Sequence, residues 1–574
     1  MRAALKLLPA LLVPVCLAWV GAARGIDPMP WVCVATVALA IALVAVPTVG
    51  VRWSAPVVWL GALLAWAAVD TVVRPVAVSE ASVAVAIGIV ALLLFAAAQA
   101  PRCAAWAKTA LVLSGSVVAV WLLVERALRH VRPGGPFGNA NPAATLVLLA
   151  LALTPFLRVS MLVRGAVGVL ATAAILVSGS RSAFLAVVGI GAAWVLSRRR
   201  RSRTIVAAVL VVVAAAGLAH RLATDRDPLR FERVRIWGVA LKTFAAELPL
   251  GAGPSGYADA ALAHNFPRTG EFARYARLPD AAESDLLQAA ATLGIPGIIL
   301  ALGLVAALAV RVVRRGPEGA GIAAALVITS AFSTQLFIPA VAWSAALALG
   351  AVMPRTGTKR LALSRPVQLA SSLMVGVTLA FVLATPSWYA AGDPELLVQR
   401  SEAAAKRSND DGTLADAEAT AAQACALRPR FGRAWRLLGD LRLQRALLRG
   451  EPALVLAAHA AFSQAYRVNS LDAWAALGEA QSLHMSGDRG GALAALTVAL
   501  RLEPNSVPGW LELATVRLEG GELAAARAAL KRAQMAHAQA QALAPGFVSD
   551  YERRLAWADP ILLARLQEAT REAR

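Results

Sequence analysis

Runs of apolar residues close to the length a bilayer demands recur through the first two thirds of this chain. In hydrocarbon every backbone N–H and C=O must be paired inside the chain, so such runs fold as helices. The clearest are Leu7–Ala23, Pro30–Val49, Ala55–Val73, Ala81–Ala100 and Ala105–Val124. Eight shorter or more Gly-rich runs follow: Pro142–Leu157, Ala166–Val177, Ala183–Leu196, Thr204–Leu218, Leu286–Val310, Ala320–Gln335, Ala340–Met353 and Val367–Thr385. With 58% apolar and 16% charged residues, an ordinary soluble domain is excluded. The expectation is an all-α fold, a polytopic bundle of about 11–13 transmembrane helices, with residues 1–386 as its membrane domain.

The net charge of +21 suggests a nucleic-acid binder until it is divided along the chain. Residues 1–386 hold 34 basic and 14 acidic side chains, and the remainder 22 and 21. With a cytoplasmic N-terminus and thirteen spans, one set of loops collects Arg2, Lys6, Arg52, Arg102, Lys108, Arg158, Arg164, Arg198–Arg201, Arg203, Arg311, Arg314, Arg315, Arg355, Lys359, Arg360 and Arg365 against Glu318 alone. That is the positive-inside pattern, so the excess reflects topology and membrane lipids, and no nucleic-acid partner is expected. The first run has basic residues before a short apolar stretch, as a signal peptide does, but the many spans behind it favour a retained helix. Cys16, Cys33, Cys103 and Cys425 build neither a disulfide framework nor a metal-ligand spacing.

This topology places Glu125–Asn141, the long loop 219–285 and everything after Pro386 on the outer side. Residues 387–574 have a soluble composition and an internal repeat. Trp435, Leu438 and Gly439 recur as Trp474, Leu477 and Gly478, then as Trp510, Leu513 and Ala514, at spacings of 39 and 36 residues. These are near the tetratricopeptide period of about 34, so the tail is expected to be an α-solenoid able to dock a protein partner.

Three polar interruptions carry the chemistry. The first, GGPFGNANPAAT at Gly134–Thr145, cannot continue a helix and must face water; Gly138, Asn139 and Asn141 shape it, and Arg126, Arg129, His130 and Arg132 precede it. The second, VSGSRSA at Val177–Ala183, sets Arg181 among small residues between apolar spans. An arginine there costs about 2.5–3.5 kcal/mol on insertion scales and is usually functional. The third runs from Phe231 to Tyr257. Val234, Trp237, Leu241 and Phe244 recur at helical spacing, giving an interfacial helix flanked by Arg233 and Lys242. Gly251, Gly253 and Gly256 spell G-x-G-x-x-G, but no strand precedes them, so dinucleotide binding is rejected. They are expected to form a tight turn bringing backbone amides near a phosphate or sugar. Asp225 and Asp227 spell D-x-D, which in an arginine-rich loop reads as ordinary charge.

PFGNANPAA, SGSRSA, RVRIW with PLGAGPSGY, and ESDLLQAAATLGIPG at Glu283–Gly297, in this order, resemble the O-antigen ligase family of membrane glycosyltransferases over roughly residues 120–350. Some members of that family carry a tetratricopeptide tail. The resemblance implies transfer of a glycan from an undecaprenyl diphosphate carrier to a lipid acceptor such as lipid A core, or to a protein, on the outer side of the bacterial inner membrane. It implies no metal and no cofactor. Arg181 and Arg233 match the family's two arginine positions, with Arg235 and Arg132 as further candidates to bind the diphosphate; a guanidinium pairs bidentately with phosphate oxygens.

One departure bears on catalysis. Family members commonly place a His-Asn or His-Ser pair before the Asp-x-Leu-Gln that opens the span after the large loop. Here Glu283 stands in that place, and the pair His264–Asn265 lies about twenty residues earlier. Either Glu283 is the base, or His264 folds back into the site, or the domain is catalytically altered. The last alternative makes the chain a non-catalytic, membrane-anchored scaffold for cell-envelope polysaccharide assembly.

Overall fold

A computed structural model describes residues 54–73, 78–99, 101–129, 132–196, 201–224, 232–353, 393–407, 410–543, 546–547 and 549–572. Helices joined by turns and irregular loops make it up, and no strand occurs among the described residues. Two compact units divide it. The first comprises the described parts of Met1–Arg74, Val78–Ser255 and Ala281–Trp388, the second those of Gly256–Asp280 and Tyr389–Arg574.

In the first unit the helices are α1 (Ala55–Val73), α2 (Val78–Ala98), α3 (Pro101–Arg129), α4 (Ala140–Leu153), α5 (Met161–Ser178), α6 (Arg181–Leu196), α7 (Arg201–Thr224) and α8 (Glu232–Ala246). After the chain has visited the second unit as α9 (Tyr257–Leu262), the first unit resumes with α10 (Asp285–Val313), α11 (Pro317–Ala331) and α12 (Pro339–Val352). Helix α4 is the centre. It is apolar all round, and every residue of it but Asn141 is buried. Around it pack α3, α5, α6, α11 and α12. Three described helices are long and apolar enough to cross a membrane by themselves: Ala104–Arg129, Met161–Ser178 and Asp285–Val312. Seven more are apolar but shorter, α4 among them. At a rise of about 1.5 Å per residue, a fourteen-residue helix falls short of a bilayer core of about 30 Å, which is acceptable only because α4 is surrounded by protein. The expected spans 7–23, 30–49 and 367–385 lie outside the described residues.

The second unit stacks helical hairpins: α13 (Pro394–Arg407) with α14 (Asp411–Leu427), α15 (Gly432–Arg449) with α16 (Pro452–Val468), α17 (Ala473–Met485) with α18 (Arg489–Leu502), and α19 (Val507–Glu519) with α20 (Leu523–Leu543). Helices α21 (Asp550–Ala556) and α22 (Pro560–Glu572) close the stack. Each tryptophan read from the sequence lies near the start of the first helix of a hairpin. Trp435 and Trp510 both donate through Nε1 to the carbonyl of a proline six residues earlier, Pro429 at 2.9 Å and Pro504 at 2.7 Å. Trp474 has Val468 there instead; its ring faces Tyr551 and carries the Arg554 guanidinium 4.8 Å above it. The glycine of the motif is a packing requirement. A Cβ at Gly439 or Gly478 would stand 2.7 or 2.3 Å from the fully buried ring of Phe462.

Helices α17 and α19 are pinned by His484, whose Nδ1 and Nε2 each lie 2.7 Å from a carboxylate, Glu512 and Glu519. The Glu512 hydrogen bond chiefly, then that to Glu519, pushes the imidazole up to about 9 from 6.5. The folded protein thus holds this proton more tightly than the unfolded chain. The resulting stabilisation is complete below pH 6.5 and is lost as pH rises through 9. The melting-temperature deficit of His484→Ala in detergent is therefore expected to be largest near pH 6 and to vanish near pH 10; a deficit independent of pH refutes the pairing. Gly478→Ala is expected to cost about 1–3 kcal/mol by overpacking, and less in a Phe462→Leu background, as a double-mutant cycle of unfolding free energies measures.

Candidate functional site

The polar interruptions of the first unit are joined by hydrogen bonds. After α3 the chain makes a 3-10 turn, Gly135–Phe137, held by the Gly135 amide donating to Glu125 Oε2 at 2.8 Å. Gly138 and Asn139 are exposed at its end, and Asn139 caps α4 by accepting from the Asn141 amide at 3.0 Å. Asn141 faces the other way. Its Oδ1 accepts from Ser180 Oγ at 2.8 Å, and Ser180 is within 3.2 Å of Ser182 Oγ. Arg132 reaches the same α5–α6 turn, donating from Nε to the Ser178 carbonyl at 3.0 Å and from Nη2 to the Gly179 carbonyl at 3.4 Å. These bonds fix the turn from which α6 starts, with Arg181 as its half-buried first residue.

The seam continues through the core. Thr145 hydroxyl contacts both the Asn141 carbonyl, at 3.0 Å, and Gln335 Oε1. The next amide, Leu336 N–H, donates to Asp285 Oδ1 at 2.9 Å. Two residues before Asp285 stands Glu283, at φ 51°, the only non-glycine residue with positive φ among the described residues. The left-handed region is unfavourable for a glutamate, and such strain persists only where surroundings impose it. Here they do: the Trp237 indole donates to the Glu283 carbonyl at 3.3 Å, and Gln288 Oε1 accepts from the Ala282 amide at 2.8 Å.

Glu283 and Arg233 face one another with 3.8 Å between carboxylate and guanidinium, each side chain about one third exposed (34% and 33%). Burial lowers the Arg233 pKa from its usual value; Glu283 opposes this, and Arg181 is near enough to add to it by repulsion. Arg181, Arg233 and Glu283 are thus brought within one electrostatic neighbourhood. Arg235 lies exposed on α8 beside the exposed Val234, with Leu241 and Lys242 two turns on, as an interfacial helix requires. His264 belongs to the second unit, where its amide donates to the Ala261 carbonyl. His130, Asp225 and Asp227 lie outside the described residues. No group of three or more His, Cys, Asp or Glu with metal-holding geometry occurs among the described residues.

The glycine-rich segment does not present its amides to a ligand, and this corrects the expectation. The Gly251 amide donates to Glu247, Ala252 to the Ala291 carbonyl at 2.7 Å and Gly253 to the Thr292 carbonyl at 2.8 Å, while the Ile295 amide returns a bond to the Pro249 carbonyl at 2.8 Å. The cause is a break in α10 at Gly294 (φ 64°, ψ −155°), which frees carbonyls that the strap 249–253 then satisfies. A Cβ at Gly251 would lie 2.5 Å from the Gly294 nitrogen, and one at Gly294 would lie 2.3 Å from the Pro249 carbonyl oxygen.

Asp285 and Gln288, the Asp and Gln of the motif that opens α10, join Thr145 and Gln335 in holding the candidate site together, a role the sequence did not assign to any of them. The available signal was their polarity inside apolar runs.

Residues 166–302 match the family model described as O-Antigen ligase, and residues 483–544 match a tetratricopeptide repeat model. The first of these stretches is similar to O-antigen ligase. The matched span runs from within α5 through the strap and the break in α10, and takes in Arg181, Arg233, Gly251, Gly253 and Glu283. Over these two stretches the chain is similar to O-antigen ligase and to tetratricopeptide repeats, and its first unit holds helices apolar and long enough to cross a membrane. No curated protein sequence matches. Among solved structures, a thermophilic TPR protein of Thermus thermophilus is 20% identical over 35% of this chain and 93% of its own, at a TM-score of 0.25. Yeast Tom70 is 12% identical over 81% and 96%, at a TM-score of 0.20.

Because Gly251 and Gly294 meet backbone to backbone, Gly251→Ala is expected to lower the unfolding free energy by at least about 2 kcal/mol. Gly238→Ala, with open space around its Cβ inside α8, is expected to be neutral or mildly stabilising. Thermal unfolding of the two detergent-solubilised variants distinguishes them, and equal midpoints refute the strap.

Proposed function

We propose that the first unit transfers a glycan from an undecaprenyl diphosphate carrier to an acceptor hydroxyl, of lipid A core or of a protein, on the outer face of the bacterial inner membrane. The observation that carries this reading is the convergence of Arg181, Arg233 and Glu283 inside the stretch similar to O-antigen ligase. Residues 1–386 are the multi-pass membrane part in this reading, and residues 387–574 the solenoid on the same outer side as the long loop.

The chemistry suits these side chains. The acceptor oxygen attacks the anomeric carbon, and the bond from that carbon to the diphosphate oxygen breaks, its electron pair leaving with the diphosphate. Arg181 and Arg233 receive that charge through their planar forks, with Arg132 and Arg235 as neighbours for the remaining phosphate oxygens. The acceptor proton passes to a base. Glu283 is preferred to His264 because Glu283 shares the neighbourhood of the arginines, whereas the described bonds of the His264 segment are made within the second unit. Neither a metal nor a cofactor is assigned a step.

Transfer by the purified full-length protein from an undecaprenyl diphosphate oligosaccharide tests the proposal. Arg181→Ala and Arg233→Ala are each expected to lower kcat/KM by about a hundredfold or more, the loss of a charge-assisted contact in the transition state. Glu283→Gln is expected to lower kcat, His264→Ala to leave it measurable, and EDTA to have no effect. Wild-type turnover in either arginine variant overturns the donor site. Absence of turnover in a well-folded wild type, across several donors and acceptors, favours the membrane-anchored scaffold.

A further inference from the structure

Residues 256–280, part of the long loop between α8 and α10, are built into the solenoid. The contacts run along one row of positions in the repeats. Helices α14 and α18 end at Arg428 and Glu503, equivalent positions two hairpins apart, each followed by a proline. Arg428 is buried and donates from Nε to Asp259 Oδ2 at 2.6 Å. Glu503 is fully buried and accepts from two consecutive amides, Arg274 and Tyr275, at 2.8 Å each, with the Tyr551 hydroxyl at 3.2 Å. Asn505 donates to the Phe272 carbonyl at 2.9 Å, and the Arg274 guanidinium reaches the Arg501 carbonyl at 3.2 Å. Phe272 packs on Phe547 with Ala540 and Leu555. At the corresponding end of the intervening α16, Asn469 instead accepts from the Leu471 amide, within its own turn.

The held segment is cross-tied to the histidine. Arg268 N–H donates to the Arg274 carbonyl at 2.9 Å, and Asn265, next to His264, donates from Nδ2 to the Arg277 carbonyl at 3.1 Å. An anchor at residues 274 and 275 therefore fixes the whole knot from His264 to Arg277.

We propose that the solenoid is an intramolecular clamp: Glu503 is a positioning residue that seizes the 264–277 knot of the chain's own loop, so that this face of the repeats is occupied in cis. A buried carboxylate with two amide donors is worth more than a neutral contact, and removing its charge leaves two N–H groups poorly matched. The loop so held joins α8 to α10, the helices carrying Arg233 and following Glu283; its catalytic consequence rests on the proposed function, the clamp itself does not.

Hydrogen–deuterium exchange on the full-length protein, read by mass spectrometry, tests it. In the wild type the amides of Arg274 and Tyr275 are expected to be protected. In Glu503→Gln, exchange in peptides covering 268–278 is expected to rise about ten-fold or more, while peptides from α19 and α20 keep wild-type rates. Asn505→Ala removes a loop contact without touching a buried charge; if Glu503→Gln loosens the whole solenoid, the clamp then stands or falls on whether Asn505→Ala frees 268–278 selectively. Unprotected wild-type amides, or unchanged exchange in both variants, overturn the clamp. In transfer assays, positioning predicts a fall in kcat with the donor KM unchanged; faster exchange with unchanged kcat overturns the positioning role. If even the wild type transfers nothing, the proposed function fails while the exchange data still decide the clamp.

Discussion

The hydrogen bond from Ser180 to Asn141 is the contact on which the arrangement of the first unit turns. Its partners lie in an apolar bundle where an unmatched hydroxyl or amide costs several kcal/mol in the worst case, about 1–3 in typical proteins. Asn141 is the one residue of α4 that is not buried, and it spends its side chain on the α5–α6 turn and its carbonyl on Thr145. Thr145 passes the constraint to Gln335, and the neighbouring Leu336 amide passes it to Asp285. Segments separated by up to 190 residues are therefore linked by a chain of hydrogen-bonded polar groups. Each interruption of an apolar run finds its partner in another interruption, because nothing else in such a bundle offers one. This is why motifs that look independent along the sequence close on one place.

That logic also sets how much the sequence could reveal. Helix type and the apolar character of the core follow from run length and composition, and the three tryptophan hairpins follow from spacing. The hairpin of α13 and α14 escaped notice because it buries Leu397, Val398 and Leu414 in place of the tryptophan that marked the others. The glycine-rich strap was misread for a deeper reason. Its glycines permit a close approach of backbone, but what approaches is α10 itself, whose carbonyls are released by the break at Gly294. A spelling can announce free amides; only the tertiary pairing decides who accepts from them. His264 is similar, since no local pattern in HNFPRTGEFARY tells that Glu503, more than two hundred residues later, accepts its neighbours' amides.

The strap and the clamp bracket the long loop. On one side, Ala252 and Gly253 are stitched to the break in α10. From Gly256 to Asp280 the chain is bound by the repeats, and it returns to α10 through Ala282, tied by Gln288. A loop of this length without such ties would lose substantial ordering entropy on every visit to a bound geometry. The anchors on 249–253 and 282 lie within the first unit and those on 256–280 within the second, so each stretch of the loop is ordered by the unit it belongs to.

Glu283 sits where these constraints end, and its geometry bears on the proposed chemistry. A glutamate at φ 51° is held there by bonds to its own carbonyl and to the preceding amide, so its side-chain direction is set by the backbone. Its contact with Arg233 is a long one. At 3.8 Å and one third exposed, the contact with Arg233 belongs to the class of ion pairs worth about 0–1 kcal/mol. A diphosphate offering several oxygens in bidentate geometry competes easily with such a partner. The repulsion between Arg181 and Arg233 acts in the same direction, since two guanidinium groups held together against their mutual charge gain more from a polyanion than either would alone. In the proposed reaction, a diphosphate bound to Arg181 and Arg233 would displace Glu283 from its arginine at the step when a proton acceptor is required.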